Sequence, residues 1–141
     1  MNSKDKYAPD SFYSFIRLII TLFIAIIGNA GMWAIVVIMP DIESEFQVSR
    51  STLSVPYILT MIGFAIGNVF LGRFVDRVGI TQAIIFASFF NLIGFVGASV
   101  FNSFFVLAFF HLIIGLGTAV SFGPLLADIS LWFKRFRGIA V

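Results

Sequence analysis

The sequence of 141 residues contains no cysteine and few charged residues. The absence of cysteine excludes disulfides, thiolate metal sites and haem attached through thiols. Charged residues make up only 11% of the chain, whereas a soluble domain has about 25%. Apolar residues make up 60%, and the mean hydropathy is +1.05. Because so few polar side chains cannot cover a water-facing surface, the composition predicts an integral membrane protein.

Groups that carry enzymatic or nucleic-acid chemistry are also scarce. His111 is the only histidine, and it is expected toward the opposite surface from Asp128, so no cluster of His, Asp, Glu or Ser converges at one depth. Gly115-x-Gly117 is not a nucleotide loop, because no βαβ unit surrounds it. The net charge of +2 is small and gives no reason to expect nucleic acid. We therefore expect no enzymatic activity, no metal ion or other cofactor, and no nucleic-acid partner.

Long uncharged runs dominate what is present. Two of these runs are Leu18–Met39, which ends before Pro40, and Ser51–Gly72. Each would be about 33 Å long as a helix, which is enough to cross a hydrocarbon core of about 30 Å. Val78–Ala127 carries no formal charge and would be about 75 Å long as one helix, so it must fold back. The polar pair Asn102-Ser103 lies at its middle. The sequence therefore predicts four membrane-spanning helices, over residues 18–39, 51–72, 78–101 and 104–132.

A charged segment separates the second and third spans. It contains Arg73, Asp76 and Arg77, and it is bracketed by Gly72 and Gly79. Two arginines and an aspartate are costly in hydrocarbon, so they must lie at a membrane surface. The glycines suit a short connection that needs positive φ or close backbone approach. We therefore predict a tight charged turn at this point.

The basic residues are distributed asymmetrically across the predicted membrane. Four spans place the N-terminal tail, the charged turn and the C-terminal segment on one side, and only Arg50 on the other. The bases on the first side are Lys4, Lys6, Arg17, Arg73, Arg77, Lys134, Arg135 and Arg137. This asymmetry predicts a cytoplasmic N-terminus in a multi-pass protein of the plasma or inner membrane. The chain then divides into a cytoplasmic tail (1–17), a four-helix membrane part (18–133) and a cytoplasmic loop with the start of a fifth helix (134–141).

Three segments resemble signatures of the major facilitator superfamily. Residues 72–79 look like the G-x-L-x-D-R-x-G-R-K loop between its second and third helices. Residues 111–119 are similar to the R-x-x-x-G-x-G-x-A pattern of its fourth helix, and residues 132–140 resemble the W-F-x-x-x-R-G-x-A entry to its fifth helix. Residues 47–54 look most like the monocarboxylate and oxalate/formate branch. The resemblance therefore covers essentially the whole chain.

The chain departs from these signatures at four positions. Phe74 stands where the loop signature has leucine, and Ile80 and Thr81 stand at its final two basic positions. His111 stands where the fourth helix has arginine. The loop therefore lacks two of the charges with which it would contact a neighbouring helix.

The resemblance implies an all-α membrane bundle of the major-facilitator type, truncated to four transmembrane helices and the start of a fifth. It implies secondary active transport of a small solute by alternating access, driven by a solute or proton gradient. The expected solute is an organic anion such as a monocarboxylate, and the expected partners are the lipid bilayer, protons and the missing C-terminal helices. Alternatives are efflux of a drug or other solute and a non-transporting structural protein. A small multidrug-type transporter would carry a glutamate in its first helix, which here has no acid.

The resemblance also assigns roles at the basic side of the membrane. Asp76 and Arg77 would hold the inner helix ends together in the outward-facing state. Asp128, near the inner end of the fourth span, is expected as a further anion for Arg73 or Arg77. These residues and two glycines form the expected gating latch, called the latch below: Gly72, Arg73, Asp76, Arg77, Gly79 and Asp128. The alternative is that they are ordinary interfacial residues.

Asn29, Trp33, His111 and Ser121 are the candidate substrate or proton site. Asn29 and Trp33 are four residues apart and share a helix face, and the resemblance implies that the first and fourth helices line the transport cavity. His111 is titratable and can bind an anionic group when protonated or relay a proton. The alternatives are core packing for Trp33 and a neutral, hydrogen-bonded imidazole for His111.

Small residues give two of the spans smooth faces for close helix contact. They are Gly63 and Gly67 on the second span, and Gly115, Ala119 and Gly123 on the fourth. Pro124 is predicted to kink the fourth helix and free a carbonyl group near Val120. Asn68 and Asn91 are predicted to form hydrogen bonds between helices.

Overall fold

A computed structural model of the protein describes residues 8–141, and the first part of the expected tail, with Lys4 and Lys6, lies outside the described residues. The described part is all-α. Its helices are α1 (Phe12–Val37), α2 (Met39–Phe46), α3 (Arg50–Val78), α4 (Ile80–Val100), α5 (Phe104–Thr118), a 3-10 helix (Ala119–Ser121), α6 (Gly123–Leu131) and α7 (Arg137–Ala140). Four segments are long and apolar enough to cross a membrane: α1, α3, α4 and the α5–α6 unit. The predicted four-helix membrane bundle is confirmed.

The first span begins earlier than predicted. Ser11 is the N-cap of α1, and its side chain accepts a hydrogen bond from the Ser14 amide. An N-cap serine satisfies an amide that the first helical turn leaves unpaired, so the helix starts at Phe12 rather than at Leu18. Arg17 consequently lies inside the helix α1.

Pro40 lies in the first turn of a second helix as well as after the end of the first span. The short helix α2 follows α1 after Ile38, with Pro40 in its first turn, where the missing amide hydrogen is not needed. The buried side chain of α2 is Ile42, which packs with Ile35, Leu53 and other apolar residues of the neighbouring helices. Helix α2 therefore covers one end of the bundle, called the acidic end below because Asp41, Glu43 and Glu45 lie there.

The predicted charged turn is wrong in its extent. Arg73, Asp76 and Arg77 belong to the last turns of α3, and only Gly79 separates α3 from α4. Gly79 has φ +86° and ψ 163°, a conformation open essentially to glycine alone. Gly72 is helical, and nothing lies within 4 Å of the position that a Cβ atom would take there. Charged side chains at the membrane surface can be solvated from a helix, so no break is required before Gly79.

The α3 and α5 helices approach each other closely through glycine. A Cβ atom at Gly63 would overlap the carbonyl oxygen of Leu112, and one at Gly115 would overlap the carbonyl oxygen of Thr60. A Cβ atom at Gly67 would lie 2.6 Å from the Cβ of Ala119. Small residues of this kind let two backbones pack directly against one another in a membrane.

The fourth span is broken in its middle. α5 ends at Thr118, the chain forms the 3-10 helix, and Phe122 (φ −119°, ψ −92°) precedes the first residue of α6. Pro124 then occupies the first turn of α6. The break therefore begins before the proline rather than as a kink around it. The predicted turn at Asn102-Ser103 is confirmed, because α4 ends at Val100 and α5 begins at Phe104.

Candidate functional site

The end of the bundle opposite α2 carries an open cavity of about 660 Å³ between α3 and α6. We call this end the basic end. Gly72, Asp76, Gly79 and Asp128 all line the cavity, so the fold brings four latch residues together. Arg73 and Arg77 are not among its lining residues. Two acidic residues, Asp76 and Asp128, therefore line one cavity, and no basic residue of residues 8–141 is among its lining residues.

Asp128 has a different partner from the one expected. Its Oδ2 atom accepts hydrogen bonds from Arg17 Nη2 (2.9 Å) and Nε (3.3 Å). The side chains of Arg17 and Asp128 are only 27% and 18% exposed, so water screens the ion pair only partly. The expected pairing of Asp128 with Arg73 or Arg77 is therefore wrong in this structure. Sequence reasoning missed Arg17 because it placed this residue in the tail, before the first span.

The charged residues at the end of α3 lack such partners. Within residues 8–141, Arg73, Asp76 and Arg77 form no ion pair and no side-chain hydrogen bond. Asp76 faces the cavity together with Asp128. To act as a latch, these three residues would consequently need ion pairs or hydrogen bonds with partners other than the ones seen within residues 8–141.

Asn29 and Ser121 meet at the break in the fourth span. Asn29 Nδ2 donates to the carbonyl oxygens of Ala25 (2.9 Å) and Ser121 (3.3 Å). Gly28 makes room for this contact, since a Cβ atom there would overlap the Ser121 hydroxyl. Irregular backbone is tolerated at membrane depth only where its polar groups are buried in protein or line a cavity. α1 therefore supplies a hydrogen bond to the irregular segment.

His111 and Trp33 form no hydrogen bond with Asn29 or Ser121 within residues 8–141. His111 is 3% exposed, and its Nδ1 atom lies 2.8 Å from the carbonyl oxygen of Leu107. Trp33 is 57% exposed. Within residues 8–141, the structure thus joins Asn29 to Ser121 by a hydrogen bond and gives Trp33 and His111 no hydrogen bond to either residue.

Both predicted interhelical asparagine bonds are wrong for the described part of the chain. Asn68 Nδ2 donates 2.8 Å to the carbonyl oxygen of Phe64 in its own helix. Asn91 Oδ1 is buried and has no hydrogen-bond partner among residues 8–141. It lies beside Gly117, where a Cβ atom would be 2.7 Å away. Asn91 also lines a cavity of about 460 Å³ near the break, together with Gly28 and Ser121.

The family of the chain can now be considered. Within residues 8–141 no group of three or more His, Cys, Asp or Glu residues could hold a metal ion. The family model described as Major Facilitator Superfamily matches residues 21–141, which include most of the first span and all of the other three. The chain belongs to the major facilitator superfamily. Members of this superfamily are membrane transporters rather than enzymes. No curated protein and no solved structure matches the chain.

Membership in the superfamily accounts for the architecture described above. The four apolar helices and the family match support a multi-pass membrane protein that takes part in transport. The matched region contains the latch and the candidate substrate residues, from Asn29 to Asp128. The resemblance to the superfamily is therefore confirmed, whereas the monocarboxylate branch stays a proposal.

Proposed function

We propose that this chain is part of a secondary transporter that moves a small organic anion, such as a monocarboxylate, by alternating access. The observation that carries the proposal is the broken fourth span, whose irregular backbone is held by Asn29 of the first span. Discontinuous helices near the middle of the membrane form the solute and ion sites of many secondary transporters. The family match covers the fourth span and most of the first, including Asn29.

The proposed contacts for the solute or a proton are four side chains of the first and fourth spans: Asn29, Trp33, His111 and Ser121. The Nδ1–H group of His111 donates to the Leu107 carbonyl, which leaves Nε2 as the nitrogen that can take up a proton. A protonated imidazole would attract a carboxylate, and a neutral one would not. The exposed Trp33 would contact the solute from α1, one turn from Asn29.

The latch is the proposed gate at the basic end. The cavity shared by Gly72, Asp76, Gly79 and Asp128 supports a common role for these four residues. Arg73 and Arg77, at the end of α3, would supply the positive charges of the gate in another access state. The uneven distribution of bases supports a cytoplasmic basic end, with the protein in a plasma or inner membrane.

Uptake by proteoliposomes tests the proposed solute. The complete reading frame that contains this chain is reconstituted, and entry of a labelled monocarboxylate is measured with and without an inward proton gradient. We expect saturable uptake, competed by other monocarboxylates and reduced at least about tenfold in Asn29→Ala, which loses its bond to Ser121. Saturable transport of an organic cation instead, with no monocarboxylate uptake, would favour drug efflux and contradict the proposed solute.

A further inference from the structure

The start of the chain is fastened to the end of the fourth span. We define the N-terminal strap as residues 10–17. Asp10 accepts hydrogen bonds from three consecutive backbone amides, those of Lys134 (3.2 Å), Arg135 (3.0 Å) and Phe136 (3.3 Å). The amide of Asp10 in turn donates to the Trp132 carbonyl oxygen at 3.0 Å. A carboxylate over consecutive amides is a strong, charge-assisted arrangement.

Aromatic and ionic contacts extend the attachment along α1. The rings of Tyr13 and Trp132 are 5.4 Å apart, and those of Phe15 and Phe133 are 5.2 Å apart in an edge-to-face arrangement. The guanidinium of Arg17 lies 4.6 Å from the centre of the Trp132 ring and also binds Asp128. Phe133, at the centre of these contacts, is 2% exposed.

The strap explains how the end of the fourth span is held. α6 has only nine residues, and it is separated from α5 by the irregular segment. A short helix of this length gains little stability from its own hydrogen bonds. The strap therefore contacts Asp128, near the end of α6, and the residues that follow α6 up to Phe136.

We propose that the N-terminal strap is a clasp that acts as one unit: Asp10 and Arg17 together hold residues 128–136 against α1. In doing so the clasp keeps Asp128 paired with Arg17 and away from Arg73 and Arg77. It thereby controls which charges the latch can use. The effect on the latch rests on the proposed gate, whereas the attachment within the chain stands whether or not the transported solute is an organic anion.

Hydrogen exchange of the protein in lipid nanodiscs tests the clasp. We expect Asp10→Asn to speed exchange of the amides of residues 134–136 by about tenfold, because a neutral side chain accepts hydrogen bonds more weakly than a carboxylate. Asn suits the positive φ of position 10 (61°), so the backbone conformation is retained. Asp41→Asn is the matched control, since Asp41 is exposed at the acidic end, and it should leave these amides unchanged.

A second pair of variants tests whether the clasp is a single unit. Arg17→Gln does not alter Asp10, yet we expect it to speed exchange at residues 134–136 several-fold. The charge exchange Arg17→Asp with Asp128→Arg should restore most of the protection. Unchanged exchange in Asp10→Asn would contradict the role of Asp10. Accelerated exchange in Asp10→Asn together with none in Arg17→Gln would contradict a single unit and leave two independent contacts.

Discussion

Single charged residues at the basic end have roles that depend on their neighbours. The guanidinium of Arg17 binds Asp128 and also lies over the ring of Trp132. It therefore links α1 both to the last turn of α6 and to the residue that follows α6. Asp76 is of the same residue type and lines the same cavity as Asp128, but it has no partner among residues 8–141. The two aspartates should therefore respond differently to substitution.

The ion pair between Arg17 and Asp128 should contribute measurably to stability. We expect Asp128→Asn to lower the free energy of unfolding by about 1–2 kcal/mol, because the partly buried guanidinium loses a charged acceptor. Thermal unfolding in detergent measures the loss. Glu43→Gln is the control, because the pair of Glu43 with Arg50 is long, at 3.6 Å, and Arg50 is 90% exposed. It should change stability by less than about 0.5 kcal/mol, and equal losses in both variants would contradict the expectation.

The carboxyl group of Asp10 should make stability depend on acidic pH. The hydrogen bond from the Arg135 amide, aided by those from Lys134 and Phe136, lowers the pKa of Asp10 below its ordinary value of 3.8. A lowered folded-state pKa means that the stabilisation is present above pH 3.8 and is lost as the pH falls through the folded pKa. The difference in unfolding free energy between the wild type and Asp10→Asn should stay constant from pH 8 to about 5 and vanish in stronger acid. A difference that changes near neutral pH would refute this assignment.

At the scale of the helices, glycine serves two separate purposes. Gly63 lets α3 contact α5, since any Cβ atom there meets backbone. Gly79 ends α3 by taking a backbone conformation that other residues rarely adopt. Gly72 does neither, because it is helical and has open space around it. Replacing each of these three glycines with alanine therefore separates the effect of helix packing from the effect of backbone conformation.

Close packing of α3 on α5 should make Gly63→Ala destabilising. The new methyl group would overlap the Leu112 carbonyl, and separating two packed helices costs about 1–3 kcal/mol. Gly72→Ala is the control in the same helix, and it should be neutral or stabilise by about 0.5–1 kcal/mol through helix propensity. Thermal unfolding of both variants in one detergent gives the comparison. Equal effects would mean that the helices are not in direct backbone contact.

Backbone strain should make Gly79→Ala destabilising for a different reason. No atom lies within 4 Å of a Cβ at this position, so a methyl group meets no steric obstacle. An L-residue at φ +86° and ψ 163° costs about 1–3 kcal/mol. Gly138→Ala, also in open space but helical, provides the comparison in an unfolding experiment. A neutral Gly79→Ala would show that α3 and α4 are joined differently.

At the scale of the whole molecule, the fourth span is the centre of the bundle and the first is at its edge. In the most apolar part of each span, 61% of the residues of the α5–α6 unit are buried, against 11% for α1. α1 nevertheless contacts the fourth span at two places: Asn29 binds the irregular segment, and Arg17 binds Asp128 of α6. Most of the surface of α1 is therefore available to lipid or to further helices.

The proposed orientation predicts which side of the membrane each end of the bundle faces. The chain has no cysteine, so Asp76→Cys, Arg137→Cys and Asp41→Cys each introduce a single reactive thiol. In intact cells, a membrane-impermeant maleimide should label position 41 and spare positions 76 and 137, because the proposed orientation turns the basic end toward the cytoplasm. In inside-out vesicles the pattern should reverse. Labelling of position 76 from outside would overturn the orientation.

Much of the bundle could be predicted from the chain without coordinates. The four spans and the turn at Asn102-Ser103 were predicted correctly, because polar residues interrupt apolar runs of membrane length. The ends of the helices were predicted less well. Phe12 begins α1 and Val78 ends α3, since charged side chains at the membrane surface can remain helical and hydropathy does not detect the boundary.

The candidate sites could be predicted only in part. The cavity between α3 and α6 collects Gly72, Asp76, Gly79 and Asp128, which the superfamily signatures and the position of the fourth span had singled out. The partner of Asp128 could not be predicted, because Arg17 is 111 residues away in the chain. Such a pairing depends on lateral helix packing, about which the order of residues along the chain says little.

The sequence by itself determined the class of the protein, the number of spans and the asymmetry of its charges. It could do so because the thickness of hydrocarbon sets a minimum length for an uncharged helix, and because charge is excluded from that depth. Only the tertiary structure decided that Asp128 binds Arg17, that Asn29 reaches the broken segment and that Asp10 caps residues 134–136. These contacts join distant parts of the chain, and they exist only once the helices have packed side by side.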